Sequence, residues 1–460
     1  MKIKKEFIVK SILPVLVFLS ALALRFALSP VGFHVDIFSN AGWGEWIGVN
    51  GTLGFYTNNI WVYSWPTQPP LVSLTYGFAY NLYIWFLELL RTSANTIVKY
   101  HLAPGHMLWW FRFVIWFDNP ISTEIWFPYG FLVSIKSIAI IADVAIAGIV
   151  YWWAKKLKKN PLVWSAIYLF SPFTWYLSAL WGQYDQVAYL FALSSFLLLI
   201  KFPVISPILM AISISLKPTT IIFVPLYLFL YFKRKPKVKT IIFGAGISII
   251  VTYLTLRAFT TADLLIFVKE VLIPKIIYKA EFRVSTNAYN FWHIFTLGKA
   301  LDQNTKFLFV SAKIWGLLAY TLISIKTFMQ IKSLNYKTIF NSLFIIGAGS
   351  WLFLTNMLDR YFFAGVVGGL FVTMHHPKLF KYWLITSLIF GLNLYRGWWF
   401  PESLVFVKHA LIDGNGIAGF FLSIANVWIY LIMAKNILRD KEIMRNEASR
   451  NIMVKPRLTR

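Results

Sequence analysis

Long apolar runs, many close to the length that crosses a bilayer, recur along this chain, and short clusters of lysine and arginine separate them. A helix needs roughly 17–25 apolar residues to cross the hydrocarbon. Such runs, several of them short, fall at about 8–28, 131–153, 162–180, 187–201, 203–216, 219–232, 240–258, 306–330, 338–355, 361–375, 382–397 and 417–434. They predict an all-α polytopic transmembrane bundle of about twelve spans, because a spanning segment must satisfy its own backbone. The stretch 206–231, interrupted at Lys217-Pro218, reads as one broken helix or as two half-helices. Composition agrees with a membrane protein: 58% of residues are hydrophobic and 13% charged. An ordinary soluble domain carries about 25% charged residues, and a disordered chain needs low hydrophobicity. The start, with Lys2, Lys4 and Lys5, is basic like a signal peptide. The run 7–28 that follows is too long for a signal core and lacks a clear small-residue cleavage site, so it reads as a retained first helix.

The formal net charge is +26, which in a soluble protein would suggest nucleic acid. Here the cations sit between apolar runs, so they are read as orientation signals, with the lipid bilayer and not nucleic acid as partner. Lys155, Lys156, Lys158 and Lys159 follow the second run, and Lys233, Arg234, Lys235, Lys237 and Lys239 follow the sixth. Lys332 and Lys337 follow the eighth, Lys378 and Lys381 the tenth, and a basic tail follows the last. With the N-terminus inside, every cluster falls on the cytoplasmic side. The expectation is one transmembrane domain, 1–434, and a basic cytoplasmic tail, 435–460. External loops then cover 29–130 and 259–305. Within them 36–49, 69–90 and 267–278 read as interfacial helices, the second alternatively as a further span.

Ionisable groups at membrane depth are costly and tend to be functional or paired. Asp36 follows the first span. Asp185 lies in the turn Trp181-Gly182-Gln183-Tyr184-Asp185, Lys217 at the break, and Asp359-Arg360-Tyr361 between the ninth and tenth runs. Arg396 and Glu402 end the eleventh. All fall on the external face, although none of them was used to set the topology. Structural roles compete: Asp359 and Arg360 neutralising each other, Asp185 capping a helix, Lys217 snorkelling. Asp143 lies one heptad from Lys136 on nearly the same helix face, as a buried pair or a substrate contact. His375-His376 reads as a solvated turn. The chain has no cysteine, and it shows no Asp-x-Asp or His-x-x-x-His pattern. Disulfides and thiolate chemistry are excluded, and no metal or other cofactor is expected.

These residues resemble a family. Val35-Asp36-Ile37-Phe38, followed by Gly54-Phe55-Tyr56 and a Pro-Pro element, resembles the first external loop of GT-C membrane glycosyltransferases. Ser171-Pro172 with Trp181-Gly182-Gln183-Tyr184-Asp185 resembles the P…WGQxD segment of their mannosyltransferase-like branch, which includes GPI mannosyltransferases and microbial relatives. Ile214-Ser215-Leu216-Lys217-Pro218 with Pro225 resembles the lysine-bearing helix that follows. Asn287-Ala288-Tyr289-Asn290-Phe291-Trp292 resembles the NAxNxW element, and Asp359-Arg360-Tyr361 the Glu-Arg-Tyr element with a shortened acid. The resemblance covers about 30–400, departs from the pattern in an insertion at 91–130, and lacks the WWDYG motif of oligosaccharyltransferases.

The resemblance implies an inverting hexosyltransferase in the cell membrane with its active site facing outside. The donor would be a polyprenyl- or dolichyl-phosphate sugar, mannose or glucose, and the acceptor lipid-linked or a glycan. Asp36 is then the catalytic base, and Lys217 and Arg360 hold the donor phosphate. Glu45, Trp181, Gln183, Asp185, Asn290, Trp292, Asp359 and Tyr361 line the substrate site. The chemistry suits these residue types. An inverting transfer needs one base for the acceptor hydroxyl, and the leaving phosphate needs cations, whereas a glycosidase needs two carboxylates. Whether desolvation or nearby cations set the Asp36 pKa stays open at this point. Glu45, nine residues on, is a rival base, but on a helix it lies about 13 Å away along the axis. A secondary transporter, for which about twelve spans and a broken helix are ordinary, and a scaffold subunit are the competing classes.

Overall fold

The structure, a computed structural model, describes residues 2–59, 61–99, 108–122, 126–278, 282–413 and 416–439. The tail beyond Arg439 and parts of the 91–130 insertion lie outside the described residues. The described chain is mostly helical. Its first part holds α1 (Lys2–Leu28), α2 (Val35–Asn50), α3 (Pro70–Lys99), α4 (Leu108–Asp118), α5 (Tyr129–Lys156), α6 (Pro161–Leu169), α7 (Pro172–Trp175), α8 (Asp185–Leu198) and α9 (Ile205–Leu216). Then come α10 (Val224–Lys233), α11 (Val238–Arg257), α12 (Leu264–Ile266), α13 (His293–Thr296), α14 (Ala312–Gln330), α15 (Tyr336–Phe353), α16 (Phe363–Thr373), α17 (Phe380–Gly397), α18 (Val405–Lys408) and α19 (Ile417–Arg439). Strand is confined, among the described residues, to a hairpin of β1 (Lys306–Phe307) and β2 (Val310–Ser311) and isolated bridges.

Three described helices are long and apolar enough to cross a membrane: α5, α11 and α19. Shorter apolar helices fall at Ile12–Leu28, α8, α9 and Pro218–Lys233. On α11 the one buried residue is Gly244, while Ile242, Phe243, Ile249, Ile250 and Leu254 are exposed. A helix apolar all round and uncovered by protein suits a lipid solvent better than water, which points to membrane association.

The chain divides into two compact units, residues 1–221 with 236–281, and residues 222–235 with 282–460. In the first unit α2 and α3 pack against α5 around an aromatic core that includes Trp43, Phe55, Tyr56, Tyr76, Tyr83 and Phe131. The α2–α3 approach is close because Gly44 has no side chain; a Cβ there would sit 2.7 Å from the Tyr76 carbonyl oxygen. Pro172 breaks the third apolar run. Where one span over 162–180 was expected, α6 ends at Leu169, α7 restarts at Pro172, and a π-helical turn covers Tyr176–Trp181. The Lys217-Pro218 break also resolves. The residue before proline is disfavoured in the α region, and Lys217 is extended at φ −148°, ψ 109°, so α9 stops at Leu216 and a 3₁₀ turn over Pro218–Phe223 leads into α10.

The expected Lys136–Asp143 pair does not form. Asp143 faces Arg25 of α1 at 2.7 Å, with both side chains wholly buried. Tyr168 and Ser178 donate to its two oxygens at 2.6 and 3.0 Å. Arg25 also donates to the Leu169 carbonyl at 3.0 Å and to Thr174 at 3.1 Å. A buried ion pair is tolerated when its remaining donors and acceptors are met in this way.

In the second unit α15 packs on α16 and is flanked by α14 and α19, while α17 contacts α16 and α19. The run expected as a helix over 306–330 begins instead with the hairpin. The helix starts at Ala312, where Ser311 accepts a hydrogen bond from the Ile314 N–H at 3.4 Å.

Candidate functional site

The first unit gathers five of the residues singled out above around one turn and carries a sixth, Glu45, farther along α2. The π-helical turn ends at Gly182, whose φ of +73° is left-handed. Glycine is needed there twice over, since a Cβ would lie 2.6 Å from Ile37 Cδ1 and 2.8 Å from Lys136 Cγ. The reversal aims Gln183 at α2, where its Nε2 donates to Asp36 Oδ2 at 2.8 Å. Two residues later Asp185 opens α8, and Lys217 Nζ donates to its Oδ2 at 2.7 Å. Trp181 is buried, with its ring 5.2 Å from that of His34. Glu45 lies at the exposed flank of α2, nine residues beyond Asp36 on the same helix. Loss of hydration on burial raises its carboxyl above the ordinary value.

Asp36 is 39% exposed at its side chain. His34 caps α2: its Nδ1 accepts the Asp36 N–H at 3.1 Å. The same Nδ1 lies 3.3 Å from Asp36 Oδ2. Tyr76 of α3 was not anticipated. Burial, then the neighbouring Tyr184, Asp36 and Asp185, hold its phenol well above the usual range, so a neutral hydroxyl stands near both carboxylates. No sequence pattern marks it; only the α2–α3 crossing brings it there.

Beside Lys217-Pro218 the first unit has an apolar cleft of about 360 Å³, lined by Pro69, Leu71, Ile214, Pro218, Leu256 and Ile276 among others.

The second unit places the remaining five residues. Asn290 is buried; its Oδ1 accepts the N–H groups of Trp292 and His293 at 3.1 and 3.2 Å, and its Nδ2 donates to the Trp351 carbonyl at 3.4 Å. Trp292 Nε1 donates to the Phe353 carbonyl at 2.7 Å. Both residues therefore pin the loop before α13 to the end of α15. Asp359, Arg360 and Tyr361 form a 3₁₀ turn ahead of α16. Asp359 is buried and accepts the Arg360 N–H at 2.7 Å, and the Arg360 guanidinium lies 3.7 Å from it. The same guanidinium stands 5.8 Å from the Tyr361 ring centre.

Among the described residues no group of three or more His, Asp or Glu side chains is arranged to hold a metal ion. No protein-family description matches the chain, and no curated protein matches it.

Proposed function

We propose that the chain is a GT-C-type membrane glycosyltransferase of about twelve spans, both termini cytoplasmic. It moves a hexose from a polyprenyl-phosphate donor to a lipid-linked or glycan acceptor on the outer face, with inversion. The observation that carries the reading is the 181–185 turn. Through Gln183 it holds the candidate base Asp36, and through Asp185 it holds the candidate phosphate-binding Lys217.

In the step itself the acceptor oxygen attacks C1 of the sugar as the C1–O bond to phosphate breaks. The hydroxyl proton passes to Asp36, and the lipid phosphate departs with its charge met by Lys217. Gln183 donates to Asp36 Oδ2 and fixes the carboxylate beside the turn. Partial exposure of Asp36 gives the proton a way out to water. The apolar cleft beside Pro218 suits the prenyl chain. A lysine acts on phosphate as a point charge, an arginine as a fork; Arg360 is proposed as a second contact on the family resemblance.

The test is donor-dependent transfer by purified protein in lipid nanodiscs. Asp36→Asn keeps shape and the Gln183 contact while removing the base, so transfer falls by about 10²–10⁴ with donor binding retained. Lys217→Ala and Arg360→Ala each weaken donor use by about ten- to a hundredfold, as for a charge-assisted hydrogen bond. Wild-type transfer by Asp36→Asn together with a dead Glu45→Gln would move the base to Glu45.

A further inference from the structure

Along α2 lies a groove of about 320 Å³, lined from Ser39 to Asn50 on one side and by the 61–64 segment on the other. Its walls are aromatic, and they are fixed. Trp43 is buried and its Nε1 donates to the Ser64 carbonyl at 2.9 Å. Trp61 Nε1 donates to the Asn58 carbonyl at 3.1 Å. Trp46 packs between Trp61 and Phe55, with ring centres 6.0 and 5.6 Å away. The two sides are tied by Ser64 Oγ donating to Ser39 Oγ at 3.0 Å.

Unlike the apolar cleft beside Pro218, this groove mixes ring surfaces with hydrogen-bonding groups. Glu45, Asn50, Ser39 and Ser64 all line it. A hydrocarbon chain would leave those groups unused. A pyranose uses both kinds of wall. Its C–H face carries slightly positive hydrogens that rest on the negative face of an indole, and its hydroxyls donate to a carboxylate and to serine oxygens.

We infer that this groove is a carbohydrate subsite that holds sugar units of the acceptor beyond the one that reacts. The word acceptor rests on the transferase reading; the binding of sugar does not. Ser39 stands three residues from Asp36, about 4.5 Å along the helix, and Asn50 fourteen residues, about 21 Å. The groove therefore leads away from the candidate base over a length that suits several linked sugars. The acceptor is then an oligosaccharide-bearing molecule, and a bare polyprenyl lipid is a poor one.

The experiment measures binding apart from chemistry. Protein in nanodiscs, prepared without glucoside or maltoside detergents that would compete, is titrated with maltotriose and with mannotriose by calorimetry. At least one trisaccharide binds, and more tightly than its monosaccharide. Trp46→Ala weakens binding by about tenfold or more, as buried aromatic contacts do. Glu45→Gln, which keeps the side chain's size and shape, weakens it by about tenfold while the thermal unfolding temperature stays at the wild-type value. No binding of either trisaccharide, or wild-type binding by both variants, would overturn the subsite. Transfer measured on the same preparation separates the two readings. Trisaccharide binding without transfer keeps the subsite and removes the transferase, whereas transfer without trisaccharide binding does the reverse.

Discussion

Lys136 shows how one side chain sets up a site that it does not enter. Its ammonium is wholly buried and has three protons; it meets three carbonyl oxygens, of Ser29 at 2.8 Å, Gly32 at 2.6 Å and Leu180 at 2.6 Å. It also stands 4.4 Å from the Phe33 ring centre. Two of the carbonyls belong to the link that delivers Asp36 to α2, and the third precedes Trp181. One cation thus ties both ends of the Asp36–Gln183 contact. Lys136→Met keeps the stem but orphans three buried carbonyls, each costing about 1–3 kcal/mol when unsatisfied. The variant should unfold at lower temperature and lose transfer more than donor binding, because the base loses its alignment while Lys217 does not. An unchanged unfolding temperature would mean that these carbonyls find other donors. The sequence placed Lys136 and Asp143 on one helix face, and there it was right. A heptad says which residues share a face but not what stands opposite. The opposing Arg25 is a charge deep within the first apolar run, fifteen residues beyond Lys10 near its start, and that was the available signal for its pairing with Asp143.

At the scale of elements, helix starts were legible where a polar residue precedes an apolar run, whereas the break at Pro172 inside the run 162–180 was not. Asn160 accepts the Leu162 N–H at 3.1 Å ahead of α6, and Asn335 accepts the Thr338 N–H at 2.9 Å ahead of α15. What hydropathy could not separate was the hairpin before α14. Phe307-Leu308-Phe309-Val310 is as apolar as a helix, yet Leu308 and Phe309 have φ of 48° and 70° and are 82% and 94% exposed. Left-handed backbone at a residue with a Cβ costs about 1–2 kcal/mol, and a two-residue hairpin turn with both φ positive favours Asn-Gly. Leu308→Asn combined with Phe309→Gly should therefore raise stability in detergent by about 1–2 kcal/mol, read from thermal unfolding. A fall instead would show that the apolar tip is held by contacts made outside the chain, as an anchor in lipid would be. The candidate site was legible in the same uneven way. Gln183, Asp185 and Lys217 were identified as residues, but their pairing depends on the π-helical turn and on Gly182, which no apolar periodicity reports.

At the scale of the molecule, the reading rests on charge asymmetry around long apolar helices. α5 has 28 residues, about 42 Å of helix, more than the roughly 30 Å of bilayer hydrocarbon. Its C-terminal end carries Lys155 and Lys156, followed by the exposed Lys158 and Lys159. Its N-terminal end, after Pro128, has no basic residue in the first turn. Lysine is held back at the cytoplasmic side during insertion, so the proposed topology has the α5–α6 turn inside and the loop that carries α2 outside. The chain has no cysteine of its own, so single cysteines report without background. Thr57 and Lys158 are both exposed and lie away from the Asp36, Asp185 and Lys217 cluster in sequence. In intact cells Thr57→Cys should react with an impermeant maleimide, and Lys158→Cys should react only after the membrane is opened. Labelling of Lys158→Cys from outside would invert the whole arrangement. Asp36 and the aromatic groove would then face the cytoplasm, where a sugar donor can be a soluble nucleotide sugar, and the lipid-phosphate donor would lose its main support.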